Sequence, residues 1–298
     1  DNLDSIGFTL SIEYNDGLIN LTGLENLTTL GGSLSANNND ALTSLAGLEN
    51  LSTVDGAFLI VSNMNLTNLT NFENLDSVGG NFYIDQNISL PNLNGLGNLN
   101  TIGFAINIRN NTALMNISGL ENLNSAGSYI NINNNENLTS LNGLENLSTV
   151  EGNLWIVDNT NLTSISGLEN INSVEGELII DNNDALTSLN GLGNVSTVGG
   201  ELYIYQNEVL ENLDDLENLT SVGDRLVIST NDALTNISGL ESLTSVGDYL
   251  TVVGNPLLTN LSGLDNLSSI GTNLNLFDNE ALISITGLEN ISFLPGHL

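Results

Sequence analysis

Residues 151–174 have the sequence EGNLWIVDNTNLTSISGLENINSV, and residues 175–198 repeat its pattern as EGELIIDNNDALTSLNGLGNVSTV. The two stretches align without a gap, so that Asn159 matches Asn183 and Leu162 matches Leu186. The same 24-residue step continues in both directions. With Gly7 as position 1, it predicts twelve repeats over residues 7–294, a partial turn over residues 1–6 and a C-terminal tail over residues 295–298. We therefore expect a single repeat domain over residues 1–298.

The apolar pattern within the repeat predicts the fold class. Apolar residues at positions 4 and 6 alternate with variable ones at positions 3, 5 and 7, as in Leu154 and Ile156 on either side of Trp155. This period of two is typical of a half-buried strand. Further apolar residues at positions 12, 15, 18, 21 and 24 predict short arcs that turn inward. The chain is thus predicted to be a β-rich solenoid, a leucine-rich-repeat or right-handed β-helix-like coil of twelve 24-residue turns with parallel sheets. Glycines at positions 1, 2 and 17 are expected at corners with positive φ.

Asparagine at position 9 recurs in every repeat, which indicates a structural role. A buried asparagine both donates and accepts hydrogen bonds, and in register it can connect the backbones of successive turns. We expect such a ladder along the coil, with Asn residues at position 20 forming a second one at another corner. The position 9 ladder includes Asn39, Asn63, Asn87, Asn111, Asn135, Asn159, Asn183 and Asn207.

The motif L-x-I-x-x-N-x-x-L followed by G-L-E-N-L-x-S-V-G-G resembles the leucine-rich repeats of receptor L domains. Similar arrays occur in secreted surface proteins of marine bacteria. The resemblance covers essentially the whole chain and implies the fold, an extracellular or cell-surface location and a recognition role. Receptor L domains accompany cysteine-rich modules, whereas this chain has no cysteine, so receptor signalling is not implied.

Charge and composition narrow the possible partners. The chain has 35 acidic residues, two arginines and no lysine, for a formal net charge of −33. Nucleic acid and anionic membrane surfaces need basic residues, so neither is an expected partner. No apolar run approaches the length of a membrane span, and direct membrane insertion is not expected.

Few residues in the sequence indicate a catalytic site, and we predict that the chain is not an enzyme. The only histidine, His297, lies outside the repeats, and neither cysteine nor lysine is present as a nucleophile. Arg109 and Arg225 are five repeats apart, so they cannot share one site. No cofactor is predicted.

The outward side of the main sheet, positions 3, 5 and 7, is the first candidate surface. The repeats differ most there, and aromatic residues concentrate on it. Exposed aromatics favour contact with a protein or a carbohydrate, although aromatic residues also suit any sheet surface. The predicted ligand-binding residues are Tyr83, Tyr129, Trp155, Tyr203, Tyr205, Tyr249 and Phe277.

Acidic residues at position 19 form a second candidate surface. Carboxylates stacked about 4.8 Å apart repel one another, which favours splayed side chains or a bound cation. Glu121, Glu145 and Glu169 are the candidates for Ca²⁺ or another divalent cation, against the simpler interpretation of solvated turn residues.

Three functions remain open from the sequence. The leading one is an extracellular recognition and adhesion solenoid that binds protein or glycan through the sheet face. Neither end carries a polar capping repeat, so the chain could instead stack end to end into a filament. Threonine and serine rows at positions 13 and 23 resemble the faces of coiled ice-binding proteins, which is the third possibility.

Overall fold

The computed structural model describes residues 3–297, and these divide into two compact units, with the division of the chain between Leu147 and Ser148. Each unit is a parallel β-solenoid in which every 24-residue turn contributes one four-residue strand and one two-residue strand. Within residues 3–297 there are twelve four-residue strands, and eleven 24-residue steps separate the first from the last. The predicted fold class is confirmed, whereas the single domain over residues 1–298 stays a prediction.

The N-terminal unit contains strands β1 to β12, and within it equivalent strands of successive turns pair in parallel. The register is 24 residues throughout, so that Leu34 pairs with Phe58. Two short 3-10 helices, Thr70–Phe72 and Ser118–Leu120, replace the corner in alternate turns. The strands are β1 Ser5–Ile6, β2 Leu10–Glu13, β3 Thr29–Leu30, β4 Leu34–Asn37, β5 Thr53–Val54, β6 Phe58–Val61, β7 Ser77–Val78, β8 Phe82–Asp85, β9 Thr101–Ile102, β10 Ile106–Arg109, β11 Ser125–Ala126 and β12 Ile130–Asn133.

The C-terminal unit repeats this arrangement with strands β13 to β24. Its 3-10 helices span Ser166–Leu168, Asp214–Leu216 and Ser238–Leu240. The strands are β13 Thr149–Val150, β14 Leu154–Val157, β15 Ser173–Val174, β16 Leu178–Asp181, β17 Thr197–Val198, β18 Leu202–Tyr205, β19 Ser221–Val222, β20 Leu226–Ser229, β21 Ser245–Val246, β22 Leu250–Val253, β23 Ser269–Ile270 and β24 Leu274–Phe277.

The core of each turn is filled by the periodic apolar residues. In one turn, for example, the side chains that are 0% exposed include Leu186, Leu189 and Leu192. Burying a leucine side chain stabilises the fold by about 1.5–3 kcal/mol, and the repeat supplies several such residues in each turn. In the N-terminal unit, Phe58 packs edge-on against Phe72 and is stacked on Phe82, with ring centroids 4.9 and 5.2 Å apart.

The position 9 asparagines hold successive turns together from inside. In the C-terminal unit, the Asn207 backbone N–H donates to Asn231 Oδ1 at 3.1 Å. Its Nδ2 donates to the carbonyls of Ile180 at 2.9 Å and Tyr205 at 3.0 Å. Asn63 in the N-terminal unit makes the same set of bonds. The asparagines of this row that are 0% exposed are Asn39, Asn63, Asn87, Asn111, Asn135, Asn159, Asn183, Asn207, Asn231 and Asn255.

The position 20 asparagines form a second, exposed row. Asn98 Nδ2 donates to the Glu73 carbonyl at 2.6 Å, and Asn218 Nδ2 donates to the Gly193 carbonyl at 2.7 Å. Each therefore satisfies one carbonyl at the corner of the preceding turn. Because these side chains are exposed, each bond contributes less than its buried counterpart at position 9.

The backbone conformation differs in two respects from the sequence expectation. Glycines at position 17 do adopt positive φ in several turns, as in Gly191 at 127°. Glycines at positions 1 and 2 do not, and that part of the expectation is wrong. Glycine is favoured at these positions because the neighbouring turn approaches closely. A Cβ on Gly199 would lie 2.2 Å from the Glu175 carbonyl oxygen.

The residue at position 8 is the other unexpected backbone feature, since it takes the left-handed conformation in every turn. Non-glycine residues rarely have positive φ, and asparagine and aspartate tolerate it best. The eleven non-glycine residues have φ between 52° and 59°: Tyr14, Asn38, Ser62, Gln86, Asn110, Asn134, Asp158, Asn182, Gln206, Thr230 and Asp278. This turn ends each four-residue strand and directs the chain toward the buried asparagine.

Candidate binding face

The strand face, defined here as positions 3, 5 and 7 of the repeat, lies on the outer side of the four-residue strands. Alternation buries positions 4 and 6, whereas most residues at positions 5 and 7 are half-buried, as in Trp155 and Val157 beside the buried Ile156. All seven predicted ligand-binding residues lie on this face. Two belong to the N-terminal unit and five to the C-terminal unit.

Tyr83 and Tyr129 come together on the N-terminal unit although they are two turns apart. Their hydroxyl oxygens are 3.5 Å apart, and Asn107 Nδ2 in the intervening turn donates to Tyr129 Oη at 3.2 Å. The hydrogen bond to Tyr129, together with partial burial, raises the pKa of Tyr83. These three side chains form one polar and aromatic cluster.

Arg109 lies on the neighbouring part of the same face and is engaged by a carboxylate. Its Nη2 contacts Asp85 Oδ2 at 2.6 Å, and Asn110 Nδ2 donates to Asp85 Oδ1 at 2.8 Å. Asp85 is only 7% exposed, so its charge is balanced within the fold rather than by solvent. A buried carboxylate at this position is therefore stable because a cation and an amide face it.

Tyr203 and Tyr249 meet around Arg225 on the C-terminal unit. The guanidinium lies 4.9 Å from the centroid of the Tyr249 ring, and the Tyr203 side chain is close enough to help raise the pKa of Arg225. Arg225 Nη1 contacts Glu201 Oε1 at 3.0 Å, and its Nε contacts Asp248 Oδ2 at 3.4 Å. Burial is the main cause that raises the pKa of Tyr203. Both arginines of the chain are thus paired with carboxylates.

Trp155, Tyr205 and Phe277 have separate surroundings on the C-terminal unit. Trp155 Nε1 donates to Glu177 Oε2 at 3.0 Å, which holds the indole ring against the sheet. Tyr205 is half-buried in register with Asp181 and Ser229. Phe277 is 56% exposed at the end of β24.

Asp181 is a residue of this face that the sequence interpretation missed. It lies at position 7 between Val157 and Tyr205, and its Oδ1 atom is buried without a hydrogen-bond donor within residues 3–297. Burial, followed by repulsion from Asp158, raises the pKa of Asp181 to about 6. In the sequence, Asp181 is recognisable as an acid at position 7 whose counterparts in the adjacent repeats, Val157 and Tyr205, are apolar and aromatic.

The position 19 acids divide into two groups with different local roles. Glu145 Oε2 accepts a hydrogen bond from the Gly143 N–H at 2.8 Å, so its carboxylate caps the corner. Glu121 and Glu169 directly follow 3-10 helices instead. Across the described residues 3–297, no three His, Cys, Asp or Glu side chains converge as a metal site requires. The divalent-cation site remains a prediction.

The hydroxyl rows take part in bonds between turns. Thr67 Oγ1 donates to the Thr43 carbonyl at 3.2 Å, and Thr235 Oγ1 donates to the Glu211 carbonyl at 3.1 Å. Position 22 behaves in the same way, since Thr220 Oγ1 donates to the Ser196 carbonyl at 2.9 Å. These hydroxyl protons satisfy backbone carbonyls, which is a structural role, and ice binding stays a prediction. In the part of the chain that the structure describes, no helix combines the length and apolar character needed to cross a membrane.

No family model matches the chain, and no curated protein matches it either. Its matches among solved structures include the crystal structure of an internalin from Listeria monocytogenes, at 16% identity and a TM-score of 0.40. That match covers 97% of this chain and 86% of the internalin chain. A TLR13–ssRNA13 complex is similar at 16% identity and a TM-score of 0.22, over 97% of this chain and 65% of the other. The fold assignment rests on the strand register described above.

Proposed function

We propose that this chain is a non-catalytic recognition and adhesion module that binds a protein or glycan through its strand face, outside the cell or at its surface. The main support is the set of large side chains that the C-terminal unit presents half-buried or exposed on one face, among them Trp155, Ile179, Tyr203 and Phe277. Such side chains bury a large area on binding at little entropic cost when a rigid sheet already holds them.

The electrostatics of the face favour binding over catalysis. Arg109 and Arg225 are each held by carboxylates, and Trp155 is oriented by Glu177. These pairs set the shape and charge of the surface and keep its aromatic rings in place. A preorganised aromatic surface with fixed polar groups is the arrangement that recognition sites use.

Binding to a defined panel of extracellular-matrix proteins and neutral polysaccharides, measured by biolayer interferometry, tests the proposal. We expect the wild-type chain to bind at least one member and the Trp155→Ala, Tyr203→Ala double variant to bind about tenfold more weakly or less. The matched control is Thr187→Ala with Thr235→Ala, on the position 13 row outside the strand face. Equal binding by the strand-face variant and the wild type, with both folded by circular dichroism, would refute the proposal.

Self-association is the second candidate function, supported by large apolar side chains at two outward positions of the repeat, 13 and 23. Ile283 is 89% exposed and Phe293 is 73% exposed. Large exposed apolar side chains promote association. Sedimentation velocity over a concentration series should then show growing species that the Ile283→Ser, Phe293→Ser double variant lacks. A concentration-independent monomer would exclude this candidate.

A further inference from the structure

Asp181 occupies the middle of the aromatic and apolar part of the C-terminal strand face. The register of β14, β16 and β18 places it directly between Val157 and Tyr205. Ile179 lies two residues away on the same side of its own strand. Adjacent parallel strands are about 4.8 Å apart, so Val157 and Tyr205 are the direct neighbours of this carboxylate.

The carboxylate of Asp181 lacks the partners that its position demands. Its Oδ1 atom is buried, and nothing within residues 3–297 donates a hydrogen bond to it. A buried acceptor without a donor opposes folding unless binding later supplies one. Burial and repulsion from Asp158 raise the pKa of Asp181 to about 6, as expected for a carboxylate without a counterion.

Asp85 provides the internal comparison, because it occupies position 7 on the N-terminal unit. There Arg109 Nη2 lies 2.6 Å from Asp85 Oδ2, and Asn110 Nδ2 lies 2.8 Å from Asp85 Oδ1. In the N-terminal unit, the carboxylate at position 7 is therefore paired with a cation and an amide. In the other unit the equivalent carboxylate faces apolar and aromatic side chains.

The chain itself has no further basic side chain for Asp181. It contains two arginines, no lysine and one histidine, His297, which lies more than four repeats beyond Asp181, and both arginines are engaged by carboxylates. The formal net charge of −33 also favours an approaching cation over an approaching anion. A counterion for Asp181 has to come from another molecule.

We propose that Asp181 pairs with an arginine or lysine side chain of a protein partner that lies on the C-terminal strand face. This inference rests on the proposed function and names the chemistry of the partner. The stem of a long cationic side chain would pack on Val157 and Ile179. Its charged end would meet the Asp181 carboxylate beside the Tyr205 ring, because an aromatic ring attracts cations through its face.

Two peptides test this pairing: acetyl-Val-Leu-Arg-Leu-Val-amide and the same peptide with citrulline, which is neutral and nearly isosteric, in place of arginine. Trp155 is the only tryptophan of the chain, so its fluorescence reports binding at this face. Titrations at about 0.15 M salt compare the wild type with Asp181→Asn. Glu241→Gln is the control that removes one negative charge at position 19.

We expect the wild type to bind the arginine peptide about tenfold more tightly than the citrulline peptide, as a charge-assisted contact allows. Asp181→Asn should abolish this preference, and Glu241→Gln should keep it. Equal binding of the two peptides to the wild type, or an unchanged preference in Asp181→Asn, would overturn the inference. If neither peptide binds while panel ligands still bind in a Trp155-dependent way, the inference fails and the proposed function stands.

Discussion

Replacing Asn207 with alanine should destabilise the chain far more than the same change at Asn218. Both asparagines belong to rows with a 24-residue step in the C-terminal unit. Asn207 is 0% exposed at position 9, whereas Asn218 lies exposed at the position 20 corner. The pair therefore separates the contribution of a buried ladder from that of an exposed one with the same side chain.

The hydrogen bonds of Asn207 determine the expected magnitude. Its Nδ2 serves the Ile180 and Tyr205 carbonyls at 2.9 and 3.0 Å, and its Oδ1 accepts the Asn183 N–H at 3.2 Å. Alanine leaves two buried carbonyls and one buried N–H without these partners. At about 1 kcal/mol for each of the two carbonyls and about 1–3 kcal/mol for the stranded N–H, the total is about 3–5 kcal/mol.

The control, Asn218→Ala, removes one bond, from Asn218 Nδ2 to the Gly193 carbonyl at 2.7 Å. Because solvent can replace that bond, we expect a loss of about 0.5–1 kcal/mol. Asn207→Asp is the discriminating third variant. The aspartate keeps the side-chain volume and the Oδ1 acceptor, but its second oxygen faces the Ile180 and Tyr205 carbonyls and repels them. We therefore expect Asn207→Asp to lower the free energy of unfolding at least as much as Asn207→Ala.

Urea unfolding followed by circular dichroism and by Trp155 fluorescence measures these differences, with the slopes checked for constancy. The reasoning would be refuted by similar losses in Asn207→Ala and Asn218→Ala. Tolerance of Asn207→Asp would refute it as well, because side-chain volume rather than hydrogen bonding would then account for the alanine result.

Three further predictions concern single residues of the C-terminal unit. Because the pKa of Asp181 is raised from 3.8 to about 6, its ionised form is disfavoured by folding, and stability falls as pH rises from about 4 through about 6. The whole pKa shift would correspond to about 3 kcal/mol, but Asp181 is half-exposed and solvent screening reduces this effect. In urea titrations we therefore expect Asp181→Asn to be about 1 kcal/mol more stable than the wild type at pH 7.5. At pH 4 the two should be equally stable. Gly199→Ala should lower the melting temperature clearly, since its Cβ would lie 2.2 Å from the Glu175 carbonyl oxygen, whereas Gly193→Ala meets nothing within 4 Å and should be neutral. Thr230→Gly should raise the free energy of unfolding by about 1 kcal/mol in the same urea assay, because a β-branched residue is strained at a φ of 56°.

The sequence accounts for the repeat, the strand positions and the core. Alternation around Ile156 places Trp155 outward, and a 24-residue step without gaps sets which residues stand next to each other in adjacent turns. These features are predictable because they depend on a local period repeated many times. The positive φ predicted for the glycines at positions 1 and 2 is wrong, since glycine is favoured there by the close approach of the neighbouring turn and not by its own φ.

The polar contacts of the strand face could not be deduced in the same way. The register indicates that Trp155 stands near Glu177, but not that the indole N–H donates to it. Likewise, the position 8 row gives little sequence signal for its left-handed turn, because residues such as Tyr14 and Thr230 occupy it beside the more tolerant asparagines.

By itself, the sequence determined that this chain coils with a 24-residue turn around a leucine-rich core, because apolar residues with a gapless 24-residue period are buried together when successive turns stack. Only the tertiary structure decided which acids are satisfied. Asp85 and Asp181 occupy the same repeat position, yet one meets Arg109 and the other has a buried oxygen with no donor within residues 3–297. The difference is physical: the pKa and pairing of a carboxylate depend on the side chains of adjacent turns, which lie 24 residues away in sequence and about 5 Å away in space.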